Sequence, residues 1–199
     1  MCIYPDRIDA LIEQANDCSL ETRRKLCAGI AKYLILKTMY KSKNINEGFM
    51  NLFYDFYGFT RQEKNINRLE LMSVLQERNA NELLQNVLER IALNGTNQFS
   101  YATKVLHTVN NDLPIYDSCV EKFTGLRRRT LGTWQTLHNA YDQRETNGLL
   151  RLVEAYRVFV NNPASQLIIS YGNNDFTQKQ ALTISDVKKI DFMIWGFSR

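Results

Sequence analysis

The sequence predicts an all-α protein, and three observations carry that prediction. Apolar residues recur at helical spacing in nearly every segment. No stretch alternates apolar and polar residues as a half-buried strand would; the short Leu167–Tyr171 run also reads as helix. Nine Gly and three Pro in 199 residues are too few for a turn-dense β architecture. The 44% hydrophobic and 11% aromatic content excludes a disordered chain and supplies a core. At about 150 residues per domain the length lies between one and two domains. No linker is visible, so residues 1–199 are read as one helical domain. Within it two packed helical lobes are expected, 1–93 and 94–199.

The elements follow in order. Tyr4-Pro5-Asp6 opens a helix with Ile8, Leu11 and Ile12 on one face. Ser19 caps a long second helix carrying Leu26, Ile30, Tyr33, Leu34 and Leu36, broken at Asn44-Ile45-Asn46. Phe49 to Tyr57 is an aromatic-rich helix stopped by Gly58, and its rings are read as core. Helices over 68–78 and 81–93 precede an Asn94-Gly95-Thr96-Asn97 turn. A helix from Phe99 to Val109 is interrupted by Asn110-Asn111-Asp112-Leu113-Pro114. Ser118-Cys119-Val120-Glu121 then has capping-box spacing. Thr130 to Val160 reads as two helices meeting near Asn147-Gly148 and ending at Asn161-Asn162-Pro163. After a turn at Gly172-Asn173-Asn174-Asp175, Ser185 starts a last helix with Val187, Ile190, Ile194 and Phe197 on one stripe. The 19 Asn cluster at the breaks, where they cap and turn.

Charge and cysteine usage bound the partners. There are 25 Lys and Arg against 21 Asp and Glu, a net charge of +4. That permits a nucleic-acid partner without requiring one. Cys2, Cys18, Cys27 and Cys119 form no C-x-x-C pair and His107 and His138 are the only histidines, so no metal site is expected. Nothing in the sequence requires a cofactor. No apolar run reaches membrane-spanning length and the first residues lack the shape of a signal peptide. Four reduced thiols in a cytoplasmic protein are expected, with Cys27 and Cys119 as small core residues. Arg23-Arg24-Lys25 and the Lys41/Lys43 pair read as ordinary surface charges.

One segment points to chemistry. On the helix from Phe99, residues Phe99, Ala102, Val105, Leu106 and Val109 form the buried stripe. Lys104 projects about 200° away from Leu106. The chain then turns through Pro114 and brings Asp117 to the mouth of the next helix. An amine on one helix and a carboxylate at the start of the next can converge on one cleft. A lysine of lowered pKa can attack a sugar C1′ and form a Schiff base, and a carboxylate can stabilise the cationic sugar. Each residue also has a plain structural explanation, Lys104 as a solvated surface group and Asp117 as a helix cap.

Ser100-Tyr101-Ala102-Thr103-Lys104-Val105 followed by Pro114-Ile115-Tyr116-Asp117 resembles the helix-hairpin-helix DNA glycosylase superfamily. The nearer branches are the 8-oxoguanine glycosylase/lyases and uncharacterised bacterial proteins like them. The last helix, Val187 to Trp195, is similar to the C-terminal helix of such proteins. The resemblance implies that Lys104 is the Schiff-base nucleophile and Asp117 the catalytic aspartate. It implies a duplex DNA partner with a damaged or abasic site, held through a 94–102 hairpin. Ser100, Ala102 and Thr103 would belong to that nucleic-acid contact. Ser100 and Ala102 stand where the family carries hairpin glycines, and neither takes positive φ as freely as Gly. The first 90 residues match only in being helical, and no cysteine cluster for an iron–sulfur site is present.

Further residues fit a DNA role less specifically. Arg127, Arg128 and Arg129 could neutralise phosphates. Tyr101, His107, Tyr116 and Trp134 are candidates to line a cleft or stack on an extruded base. Asp191 and Trp195 are read as fixing the last helix. Three functions therefore stand open: a DNA glycosylase with or without lyase activity, a non-catalytic nucleic-acid-binding module on the same scaffold, and a protein-interaction domain such as a phage-defence or mobile-element component.

Overall fold

A computed structural model describes residues 5–59, 66–93, 98–172 and 178–198. Twelve α-helices and no strand lie among them, together with one isolated antiparallel bridge between Ile66 and Ala92. The first helix, α1 (Pro5–Asn16), starts on its proline, whose missing N–H costs nothing there. α2 (Leu20–Lys41) is capped by Ser19, whose Oγ accepts from the Thr22 N–H. α3 (Glu47–Tyr57) is capped by Asn46 and ends on Gly58 at φ +71°, the left-handed conformation expected of a helix-stopping glycine. α4 (Arg68–Glu77), α5 (Leu84–Ile91) and α6 (Phe99–Val109) follow. The Asn94–Asn97 turn, and with it the tip of the expected hairpin, lies outside the described residues.

α7 (Ser118–Thr124) differs from the expected capping box. Its N-cap is Asp117, whose Oδ1 accepts from the N–H groups of Cys119 and Val120. Asp is as good a cap as Ser and stands one residue earlier, so the helix starts with Ser118 inside it. α8 (Leu131–Asp142) and α9 (Leu150–Asn161) are separated as expected, with Gly148 at φ +72° in the connection. α10 (Pro163–Gly172), α11 (Gln178–Leu182) and α12 (Asp186–Phe197) complete the fold. Ser185 caps α12 through a bond from the Lys188 N–H. Part of the expected Gly172–Asp175 turn, residues 173–175, lies outside the described residues.

Two helices form the axis. α2 packs on α3, α10, α11 and α12, and α12 packs on α1, α2, α7 and α9. Both are therefore buried around much of their circumference. Their close approach uses glycine on each side. A Cβ on Gly29 would touch the Trp195 ring at 3.5 Å, and one on Gly196 would press on Leu26 at 3.1 Å. α4, α5 and α6 pack on one another. α5 and α6 pack together, while α1 and α2 pack on helices beyond residue 149. One hydrophobic cluster runs from Ile8 to Phe197.

The Arg23-Arg24-Lys25 run is not uniformly a solvated face. Arg23 is buried, with Nη1 donating to Ser165 Oγ at 2.8 Å and its guanidinium 4.8 Å from the Phe159 ring centre. Cys27 is fully buried one turn later, and its Sγ lies 3.8 Å from the Ser165 carbonyl oxygen. Burial pushes this thiol up to about 11. Cys119 is half-buried against the core rather than inside it. No helix among the described residues is long and apolar enough to cross a membrane.

Candidate functional site

A cleft of about 340 Å³ lies beside the α2–α12 axis. Ala28 and Gly29 of α2 and Phe192 and Trp195 of α12 provide an apolar wall. Phe56 and Tyr57 at the end of α3 provide a second one. Lys104 enters from α6, Ile115 and Asp117 from the loop leading to α7, and Lys188 and Asp191 from α12. At the rim, Lys25 pairs with Glu21 at 2.5 Å and Lys32 with Asp55 at 2.6 Å. The volume is at the small end for a ligand cleft, and its lining of rings with a few converging charges is typical of one.

Lys104 is not a solvated surface lysine. Its Nζ donates to the Tyr57 carbonyl oxygen at 3.2 Å and stands 5.4 Å from the Tyr101 ring centre. Burial pulls its pKa below the ordinary lysine value, and the Lys188 charge adds to that. Asp117 and Asp191 act the other way without cancelling it. Asp117 spends Oδ1 on the cap of α7, while Oδ2 has no hydrogen-bond partner among the described residues. The expected pair is thus brought to one cleft, an amine with a weakened hold on its proton facing a carboxylate fixed by two backbone amides.

Thr103 explains the local geometry. Its Oγ1 donates to the Ser100 carbonyl at 2.9 Å and accepts from the Tyr116 N–H at 3.1 Å. That bond ties α6 to the Ile115–Asp117 segment, joining the residues next to Lys104 and Asp117. The residue is fully buried, as is Ala102. Neither side chain is open to a phosphate. The Ala102 N–H is also committed, to the Gln98 carbonyl at 3.0 Å. Ser100 is half-buried in the first turn of α6.

The four proposed cleft-lining side chains stand outside the cleft. His107 and Tyr116 are fully buried behind it. His107 Nδ1 bonds the Leu113 carbonyl, and the Tyr116 hydroxyl donates to the Leu126 carbonyl. Trp134 is half-buried, donating Nε1–H to the Pro114 carbonyl at 3.2 Å. Tyr101 packs on Phe59, with ring centres 4.1 Å apart and the planes tilted by 56°, and its ring also lies beside the Lys104 ammonium. All four support the cleft's walls. Arg127, Arg128 and Arg129 are exposed beyond the C-terminal end of α7, opposite the end that Asp117 caps, and Arg129 stands 3.8 Å from Glu121.

Lys188 was missed by sequence reasoning, and its partner Asp191 was read only as fixing the last helix. They pair at 2.5 Å, with the Lys188 side chain 1% exposed. The available signal was their i, i+3 spacing on a helix apolar on nearly every other side. Trp195, Phe56 and Tyr57 line the cleft besides packing in or against the core. Among the described residues no group of three or more His, Cys, Asp or Glu comes together as a metal cluster. No protein-family model, curated protein or solved structure matches the chain.

Proposed function

We propose that the protein is a base-excision DNA glycosylase that uses Lys104 as a Schiff-base nucleophile and so carries abasic-site lyase activity. One observation carries this reading: the Lys104 amine, with its pKa lowered by burial, and the Asp117 carboxylate line the same small ring-walled cleft. Duplex DNA with a damaged or abasic nucleotide is the proposed partner. Extruding such a nucleotide costs a few kcal/mol, least where pairing is already lost. The neutral amine attacks C1′, and the C1′–N bond breaks with its electron pair leaving on the base. Asp117 stabilises the positive charge that develops on the sugar. Loss of the ammonium proton and opening of the sugar ring give the imine. Removal of a C2′ proton then expels the 3′-phosphate. Every step needs only the groups named and water.

The test is borohydride trapping on abasic-site duplex DNA. A covalent adduct is expected with the intact chain and none with Lys104→Ala; no adduct with the intact chain removes the lyase chemistry. Asp117 needs a variant that separates its two duties. Asn caps helices as well as Asp does, so Asp117→Asn keeps α7 in place while removing the charge. Turnover is expected to fall at least tenfold with DNA affinity retained. Undiminished turnover would leave Asp117 as a cap alone.

A further inference from the structure

Lys188 is an unusual group to find inside a helical protein. Its ammonium stands 4.8 Å from the ring centre of Phe192, 5.0 Å from Tyr33, 5.2 Å from Phe56 and 5.4 Å from Tyr57. It donates to Asp191 Oδ2 at 2.5 Å. Four ring faces and one carboxylate satisfy a cation that water does not reach. Such a pair is weak evidence for stability, since an apolar pair of similar size often serves a core as well. It has a specific neighbour, however. Tyr57 offers its ring to Lys188 and its carbonyl to Lys104, so the two amines flank one residue. Asp191 lines the same cleft as Lys104 and Asp117.

We propose that Lys188 is a positioning residue for Lys104: by holding Asp191 in an ion pair it stops that carboxylate from fixing a proton on the Lys104 amine. The inference rests on Lys104 being the nucleophile of the cleft. The charged and titratable groups around Lys104 are Tyr57 from α3, Tyr101 from α6, Asp117 and Cys119 at the start of α7, and Lys188 and Asp191 from α12. The Lys32–Asp55 pair stands at the rim. Two carboxylates would hold the Lys104 proton firmly if both were uncompensated. The ion pair sets the Lys188 charge against one of them. Burial draws the Lys188 ammonium towards neutrality, but Asp191, Tyr57 and Asp117 together outweigh burial and keep its pKa above the ordinary lysine value. The masking charge therefore outlasts the proton of Lys104, whose pKa is lowered, as pH rises.

Reductive alkylation of the full chain with acetaldehyde and cyanoborohydride tests this. Labelling of Lys104, read by peptide mass spectrometry against pH, follows its neutral fraction. In Lys188→Met the Asp191 charge is released and a repelling cation is lost. The labelling midpoint is expected to move up, with a severalfold loss of labelling at neutral pH. In Asp191→Asn the Lys188 charge is released and the midpoint is expected to move down. A pair that served only packing would, when loosened, hydrate Lys104 and move both midpoints up. That outcome, unchanged midpoints, or no labelling of Lys104 at all would overturn the proposal. If Lys188→Met does not fold, Lys188→Gln, which leaves Asp191 a polar partner without the charge, carries the test with the same upward shift expected. The aldehyde needs no DNA. A missing adduct with abasic DNA would end the lyase reading and leave this result standing, and unchanged midpoints would leave the adduct result standing.

Discussion

His107 lies three residues beyond Lys104 on α6, fully buried, with Nδ1 bonded to the Leu113 carbonyl at 2.7 Å. A carbonyl only accepts, so the neutral ring carries its proton on Nδ1 and Nε2 is bare. Nε2 has no partner among the described residues. Burial, with Lys188 adding to it, depresses the pKa from 6.5 to about 3. Between those values the unfolded chain binds a proton that the folded chain refuses. Stability is therefore complete above 6.5 and falls as pH drops towards 3, by about 1.4 kcal/mol per pH unit for one proton. His107→Asn keeps a donor near the Nδ1 position and does not titrate. Urea melts over this window should show a shallower acid slope for the variant, and an equal slope would assign the acid sensitivity elsewhere. The same physics governs what was readable residue by residue. Lys104 and Asp117 stood out because a wheel and a turn suffice to aim them together. Lys188 did not, because its i, i+3 spacing from Asp191 is also what a surface ion pair shows, and the Tyr33, Phe56 and Tyr57 rings that close it in are not local. Those rings lie about 130 to 155 positions earlier in the chain. His107, Tyr116 and Trp134 were open to either a cleft or a core reading for the related reason that a polar ring tip can be satisfied by a backbone carbonyl in the interior.

Among the helices, the joint between α2 and α10 depends on one small side chain. Ser165 is fully buried, accepting from Arg23 through its hydroxyl, and its carbonyl lies beside Cys27. Ser165→Ala would leave the Arg23 guanidinium without that partner in a buried setting, at a cost of about 1–3 kcal/mol. A thermal melt should show the loss, and a change within error would mean that the Phe159 ring alone satisfies Arg23. Helix limits were the most legible feature of the chain. Ser19, Asn46, Thr130 and Ser185 cap through their own side chains, and Gly58 stops α3 at positive φ. These are local hydrogen bonds and local backbone freedom, so local sequence reports them. The α7 start was left between Asp117 and Ser118 because both are good caps and only the backbone decides between them, in favour of Asp117.

Over the whole molecule the net charge of +4 is small, and a DNA partner must be held by where the charge sits. Arg127, Arg128 and Arg129 are exposed in sequence next to α7, which Asp117 caps. If they neutralise phosphates, replacing all three with Ala should flatten the dependence of log affinity on log salt by about 0.9 per lost contact. An unchanged slope in a fluorescence-anisotropy titration would place the DNA elsewhere. The all-α class was legible because period and composition are summed over the chain. The return of α1 and α2 to pack on α9 to α12 was not, because it joins segments far apart in the chain. That return path gives Cys27 a use as a clock. Its thiol is shut between α2 and Ser165 and pushed up to about 11, so a thiol reagent meets it only when α10 lifts away. The rate of its modification under native conditions would count those openings, and adding a ligand to the cleft that α2 walls would show whether occupancy there slows them.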